Sequence, residues 1–251
     1  MTSELHYAKQ HIPPFLMRFI KQTGRGINHF GMIKGGDRIL LGISGGKDSL
    51  ALAVALTFRK SWIPIDYKIE AVQIEWREYP FSDVHKLDLK EFFEFLEIPF
   101  QILQASISPP SFNGRFDCYL CSRNRKRILF QEAEKRNITK IALGHHMDDI
   151  IETTLINLFF RGNFSTMMPV QEFFKGKIHI IRPLCEVPEG MISTVSGKLQ
   201  LPVGENRCPN KETNIRNTIK PLLRELMKID RNVGNNIYKA PWNINKDYLP
   251  S

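Results

Sequence analysis

Short apolar runs at residues 39–43, 69–74, 100–103, 141–143 and 178–181 alternate along the chain with segments of helical period. This alternation constrains the fold most, because strands separated by helices pair in parallel and need covering on both faces. Residues 49–58 and 84–96 read as two of the connecting helices, the second through apolar Val84, Leu87, Phe92, Phe93 and Leu96. Right-handed crossovers then place helices on both sides of the sheet. The expected class is α/β: a doubly wound, mainly parallel five-stranded sheet, with short helical segments at the N- and C-terminal ends. Three parts are expected along the chain: an N-terminal helical segment at 1–35, a sheet domain at 36–200 and a basic segment at 201–251. In such sheets ligands bind beyond the carboxyl ends of the strands, so the turns leaving strands one, two and four are expected to carry function.

Charge narrows the partners. Thirty-five Lys and Arg against twenty-six Asp and Glu leave a formal charge of +9 over 251 residues, a field that attracts polyanions such as nucleic acid. Nine of the basic residues and only three acidic ones fall between Arg207 and Lys246. There Arg216, Lys220, Arg224 and Lys228 recur at i, i+4 steps beside apolar Ile215, Ile219, Leu222, Leu223 and Leu226, the pattern of an amphipathic helix with a basic stripe. Pro221 fits best in the first turn of a helix starting near Lys220, leaving Arg216 on the preceding segment. A hydrophobic content of 42% excludes a disordered chain. No segment approaches the roughly 20 apolar residues of a membrane span, and Pro13, Pro14 and Arg18 interrupt the N-terminal candidate, so the expectation is a cytoplasmic protein without a membrane partner.

The first apolar run ends in Ser44, Gly45, Gly46, Lys47, Asp48 and Ser49, followed by a helical stretch. A strand, a glycine turn and a helix N-terminus in that order bind phosphate: glycine lets the backbone approach, and free amides of the first helical turn point at the anion. Ser44 and Ser49 offer hydroxyl donors, Lys47 neutralises phosphate charge, and Asp48 can hold Mg²⁺. The spacing is neither that of a Walker A loop nor GxGxxG. After the fourth run come Gly144, His145, His146, Met147, Asp148, Asp149, Glu152 and Thr153. On a helix Asp149, Glu152 and Thr153 share one face, a carboxylate group suited to Mg²⁺, and Gly144 admits close approach of a ligand. The plainer alternative is a helix cap with acidic first-turn residues.

Four cysteines are too few for a disulfide scaffold, and Cys118 and Cys121 form a CxxC just before a basic run, CYLCSRNRKR. With Cys208 they make three thiolates, enough for an iron–sulfur cluster with one iron left open; a four-ligand zinc site would take one of seven His as well. CxxC alone also suits thioredoxin-like redox chemistry.

SGGKDS after a buried strand resembles the signature of the PP-loop ATP pyrophosphatases, and GHHMDD resembles a second segment of that superfamily. Taken in order, GRGINHFGMIKGGDRILLGISGGKDS, CYLCSR, KIALGHHMDDIIET, IRPL and RCPN resemble the TtcA family of tRNA 2-thiocytidine synthetases, from about Lys21 to Leu226. The resemblance implies a PP-loop, adenine nucleotide alpha hydrolase-like fold that adenylates the C2 carbonyl of an anticodon-loop cytidine and replaces its oxygen by sulfur. It implies ATP, Mg²⁺ and a [4Fe-4S] cluster as cofactors, with tRNA, a sulfur donor such as a cysteine desulfurase and a second copy of the chain as partners. By position it assigns ATP to Ser44, Gly45, Gly46, Lys47, Asp48, Ser49, Gly144, His145 and Asp149, and the cluster to Cys118, Cys121 and Cys208. Asp48, Asp149 and Arg125 are the catalytic candidates. Arg123, Lys126, Arg127, Arg216, Lys220 and Arg224 are the tRNA-binding candidates, although a helix cannot point 123, 125, 126 and 127 the same way. Cys185, in IRPLCEV, falls outside the pattern and reads as a small buried side chain.

The residues after Cys208, CPNKETNIR, depart from the CxxCG run of close members and resemble the segment of the related tRNA 2-thiouridine synthetases. That group is the first alternative. An iron–sulfur RNA-binding or redox-sensing protein without thiolase activity is the second.

Overall fold

In a computed structural model that describes residues 2–107, 118–204 and 215–248, the first apolar run becomes β1 (Arg38–Ile43), whose Ile39, Leu40 and Leu41 are fully buried. It is followed by α3 (Lys47–Lys60), and two earlier helices, α1 (Ser3–Gln10) and α2 (Pro14–His29), precede it. Pro14 opens α2 where a missing N–H costs nothing. Then come β2 (Lys68–Trp76), α4 (Asp83–Phe95), β3 (Phe100–Ala105), α5 (Cys118–Lys135), β4 (Lys140–Leu143), α6 (Met147–Arg161), β5 (Val170–Phe173), β6 (Ile178–Ile181), α7 (Glu189–Lys198), α8 (Arg216–Ile229) and α9 (Val233–Lys239).

The strands form one sheet in the order β3-β2-β1-β4-β6-β5. Five are mutually parallel, as the apolar runs require, and a sixth, β5, pairs antiparallel with β6 at the edge. The expected five strands thus gain one. β5 reads Val-Gln-Glu-Phe, with both central side chains exposed, so it carries no apolar run; its signal is the turn after it, where Phe174, Lys175 and Gly176 all take positive φ. Leu40, Val72, Ile74, Ile141 and Ile180 of the sheet form a core with Leu129 and Ala133 of α5. α3 packs on β1, and α2 and α7 pack on α3. The strand order reverses between β1 and β4, so the crevice for a ligand opens beyond Ile43 and Leu143.

Two compact units emerge: Met1–His146 with Pro169–Cys208, and Met147–Met168 with Pro209–Ser251. The N-terminal helices belong with the sheet, where Leu5, Leu16, Phe19 and Ile27 are buried. In the second unit Ile151 and Leu155 of α6 pack against Ile219 and Leu223 of α8, with Val233 and Ile237 of α9 beside them.

α8 corrects one expectation. It starts at Arg216 rather than near Lys220, with Pro221 inside. Proline forfeits the bond to the carbonyl four residues back, but Pro221 lies on the exposed side, while burial of Ile219 and Leu223 and ion pairs of Arg216 and Lys220 hold the preceding turn helical. Among the described residues no helix is long and apolar enough to cross a membrane.

Candidate active site

Gly46 is the N-cap of α3, so the amides of Lys47, Asp48 and Ser49 in its first turn have no partner within the helix. Gly45 has φ +82°, and a Cβ there would lie 3.0 Å from Gln73 Nε2 and 3.2 Å from His85 Nε2, so glycine is needed for both conformation and space. The two serines of the loop brace it instead of reaching outward. Ser49, almost fully buried, donates from Oγ to the Gly46 carbonyl at 3.0 Å and accepts from the Ser44 amide at 3.2 Å, while Ser44 Oγ accepts from the Gly46 amide. The loop is thereby braced in the shape of an anion cradle.

Gly144, directly after β4, is also constrained. A Cβ would come within 2.8 Å of the Asp48 carbonyl carbon and of Ser49 N, so its close neighbour is the start of α3. This contact follows from the pairing of β1 and β4 and brings His146, nearly fully buried, to 3.8 Å from Asp48. Lys47 Nζ donates to Asp48 Oδ1 at 2.8 Å and to Glu189 Oε1 at 3.0 Å. Burial works against its charge, but hydrogen bonds to Asp48 and Glu189 and their negative charges outweigh that cost and hold its pKa above the ordinary lysine value.

Asp149 lies in the second unit, on α6. Arg216 Nη1 donates to Asp149 Oδ1 at 3.0 Å, and Glu152, only 2% exposed, has Arg216 Nε at 3.7 Å and Lys220 Nζ at 3.6 Å. Asp149 and Glu152 do share a face, and cations of α8 occupy it. Among the described residues no three His, Cys, Asp or Glu are grouped to hold a metal ion. Two of the three tRNA candidates on α8 are thus engaged with carboxylates, while Arg224 is exposed.

Cys118 and Cys121 sit one turn apart at the start of α5. Cys121 is a half-buried free thiol at the edge of the α5–sheet core. Cys185 is fully buried, its Sγ 3.3 Å from where a Cβ on Gly26 would stand, in keeping with a packing role. Cys208 lies outside the described residues. On α5, Arg123, Lys126 and Arg127 are exposed, whereas Arg125 turns inward and its guanidinium lies 5.5 Å from the ring centroid of Trp76 at the end of β2.

A family model described as the PP-loop domain matches residues 16–227. The chain belongs to the PP-loop family. It is 34% identical to a tRNA-cytidine(32) 2-sulfurtransferase of Bdellovibrio bacteriovorus, over 94% of this chain and 92% of that one. It is also 34% identical to the protein of the same name from Alkalilimnicola ehrlichii, over 90% of this chain and 73% of the relative. These matches place it, within the PP-loop family, among the tRNA-cytidine 2-sulfurtransferases. Among solved structures it is similar in fold to the U34-tRNA thiolase NcsA from Methanococcus maripaludis with its [4Fe-4S] cluster, at TM-score 0.74 and 21% identity, covering 90% of this chain and 78% of that one.

Several residues around the PP-loop escaped the sequence reading. Gln73, fully buried on β2 opposite Ile43, has neither amide atom paired among the described residues. Gly204 donates its amide to the Gly45 carbonyl at 2.9 Å and lies so close to His85 that a Cβ would meet the ring at 2.5 Å, so the residues after α7 meet the PP-loop. Glu189 pairs with Lys47 across 142 positions of chain. None stands in a recognisable motif; the available signal for Glu189 was its place at a helix start shortly after IRPL.

Proposed function

We propose that this chain is an ATP-dependent tRNA sulfurtransferase that adenylates the C2 carbonyl of an anticodon-loop cytidine and exchanges its oxygen for sulfur. The observation that carries the reading is the braced PP-loop, with Lys47 and three first-turn amides at one point, in a chain alike over most of its length to tRNA-cytidine 2-sulfurtransferases. The base oxygen attacks the α-phosphorus of ATP, the bond to the β-phosphate breaks, and pyrophosphate leaves toward these amides and the Lys47 ammonium. Their positive field stabilises charge growing on the leaving oxygens. Asp48, at the same helix start, would hold a Mg²⁺, which would supply further positive charge to the phosphates.

Cys118 and Cys121, one helical turn apart and with the Cys121 thiol accessible, fit two ligands of a [4Fe-4S] cluster, and Cys208 is the third; when bound, the cluster supplies a thiophilic iron for sulfur delivery. Exposed Arg123, Lys126, Arg127 and Arg224 contact tRNA phosphates, Arg216 and Lys220 contribute through their exposed edges, and Arg125, held on Trp76, faces the incoming base. His145 is a further nucleotide-binding residue in this reading, and Asp149 of the second unit a nucleotide-binding and catalytic one. A sulfur donor such as a cysteine desulfurase, homodimeric assembly and a cytoplasmic setting complete the proposal.

Asp48→Ala tests the reading. It should retain tRNA binding and lose tRNA-dependent pyrophosphate release; release at the wild-type rate would overturn the role of the loop. The segment after Cys208 favours uridine as the second reading, and nucleoside mass analysis of tRNA from a deletion strain names the base.

A further inference from the structure

Glu189 is the first residue of α7, after Pro188 as N-cap, and an acid at that position needs only the helix dipole to justify it. Its carboxylate nevertheless reaches another helix. Oε1 lies 3.0 Å from Lys47 Nζ, the cation of the PP-loop, whose other carboxylate is Asp48 at 2.8 Å. The approach is fixed by the backbone on both sides. Leu184, Cys185 and Val187 are buried just before α7, turns from Cys185 to Arg182 and from Val187 to Leu184 fold that stretch, and α7 packs on α3. Lys47, Asp48 and Glu189 are each about one-third exposed, so the triad is reachable from solvent at the start of α3.

We infer that Glu189 is a positioning residue that acts through Lys47 as its exchangeable counter-ion, holding the ammonium until polyphosphate arrives and recapturing it as pyrophosphate leaves. The inference rests on the PP-loop being the polyphosphate site. Polyphosphate brings several negative charges to Lys47, and a carboxylate 3.0 Å from the same nitrogen must give it up or repel them. If Asp48 turns to a metal ion when nucleotide binds, Glu189 is the carboxylate left to compete for Lys47. Weaker retention of pyrophosphate is what repeated turnover requires, since a site built only of donors would keep its product.

The test uses the full chain and inorganic pyrophosphate as probe, measured by calorimetric titration with and without Mg²⁺. Glu189→Gln keeps the size and removes the charge. It should bind pyrophosphate about 1.5- to fivefold tighter than wild type, the range expected for losing one partly solvated charge contact, and its kcat should fall while KM for ATP falls as well. Glu189→Asp should restore wild-type behaviour in part. In a Lys47→Gln background the effect of Glu189→Gln should vanish, an outcome a merely structural role would not produce. Equal or weaker pyrophosphate binding by Glu189→Gln, with thermal unfolding unchanged, would overturn the inference. If wild type itself binds no pyrophosphate, the polyphosphate reading fails instead.

Discussion

Gly144 and Ser49 meet backbone to backbone, with Ser49 N and Cα only 2.8 and 2.9 Å from where a Cβ on Gly144 would stand. This contact joins the turn after β4 to the first turn of α3. Overpacking against backbone cannot be relieved by a rotamer change, so Gly144→Ala should cost about 1–3 kcal/mol. Urea denaturation measures the cost, and ATP affinity should fall with it because Ser49 also braces the Gly46 carbonyl. Unchanged stability together with unchanged ATP affinity would mean the two turns are not coupled.

The proposed function separates the thiols by role. Cys118→Ala, Cys121→Ala and Cys208→Ala should each abolish bound iron and acid-labile sulfide in anaerobically prepared protein. Cys185→Ala should keep both and lose about 1 kcal/mol, the price of removing one buried sulfur from a packed site. Full iron content in the Cys208 variant would refute the three-ligand assignment.

Arg216 and Arg224 stand two turns apart on α8, yet they should respond differently. Arg216→Ala removes one of the cations beside the buried Glu152 and should destabilise the protein by about 1–3 kcal/mol. Arg224→Ala should change stability by less than about 0.5 kcal/mol and instead weaken tRNA binding, lowering the salt slope by about one. Chemical denaturation and filter binding at several salt concentrations separate the two.

Glu75, buried at the end of β2, gives the fold an acid-sensitive contact. Burial raises its pKa, but bonds from Lys86 Nζ at 2.9 Å, the Phe81 amide and Gln104 outweigh that and hold it below the ordinary carboxylate value. A carboxylate depressed on folding stabilises the protein above its unfolded pKa, about 4.3 for Glu, and loses that contribution as pH falls through the folded value. Glu75→Gln removes the titrating group. Its melting temperature should therefore fall less steeply than that of wild type below about pH 4.5, as scanning calorimetry from pH 6 to 3 would record; parallel curves would exclude Glu75 as the source.

Much of the molecule was legible along the chain because it rests on local order. The parallel strands follow from uninterrupted apolar runs such as residues 39–43, and the phosphate loop from glycines placed between a strand and a helix. β5 was invisible because an edge strand needs no apolar face, and the start of α8 was misplaced because Pro221 weighs against a helix locally while burial of Ile219 and Leu223 favours it from outside.

What the sequence by itself determined is the class of fold and the phosphate loop, since each is carried by residues adjacent in the chain or by a motif. Only the tertiary structure decided that Gly144 serves the backbone of α3, that Arg216 answers Asp149, and that Glu189 holds Lys47. Those pairs lie far apart in sequence, and their energy depends on distances of about 3 Å that helix packing and strand order create.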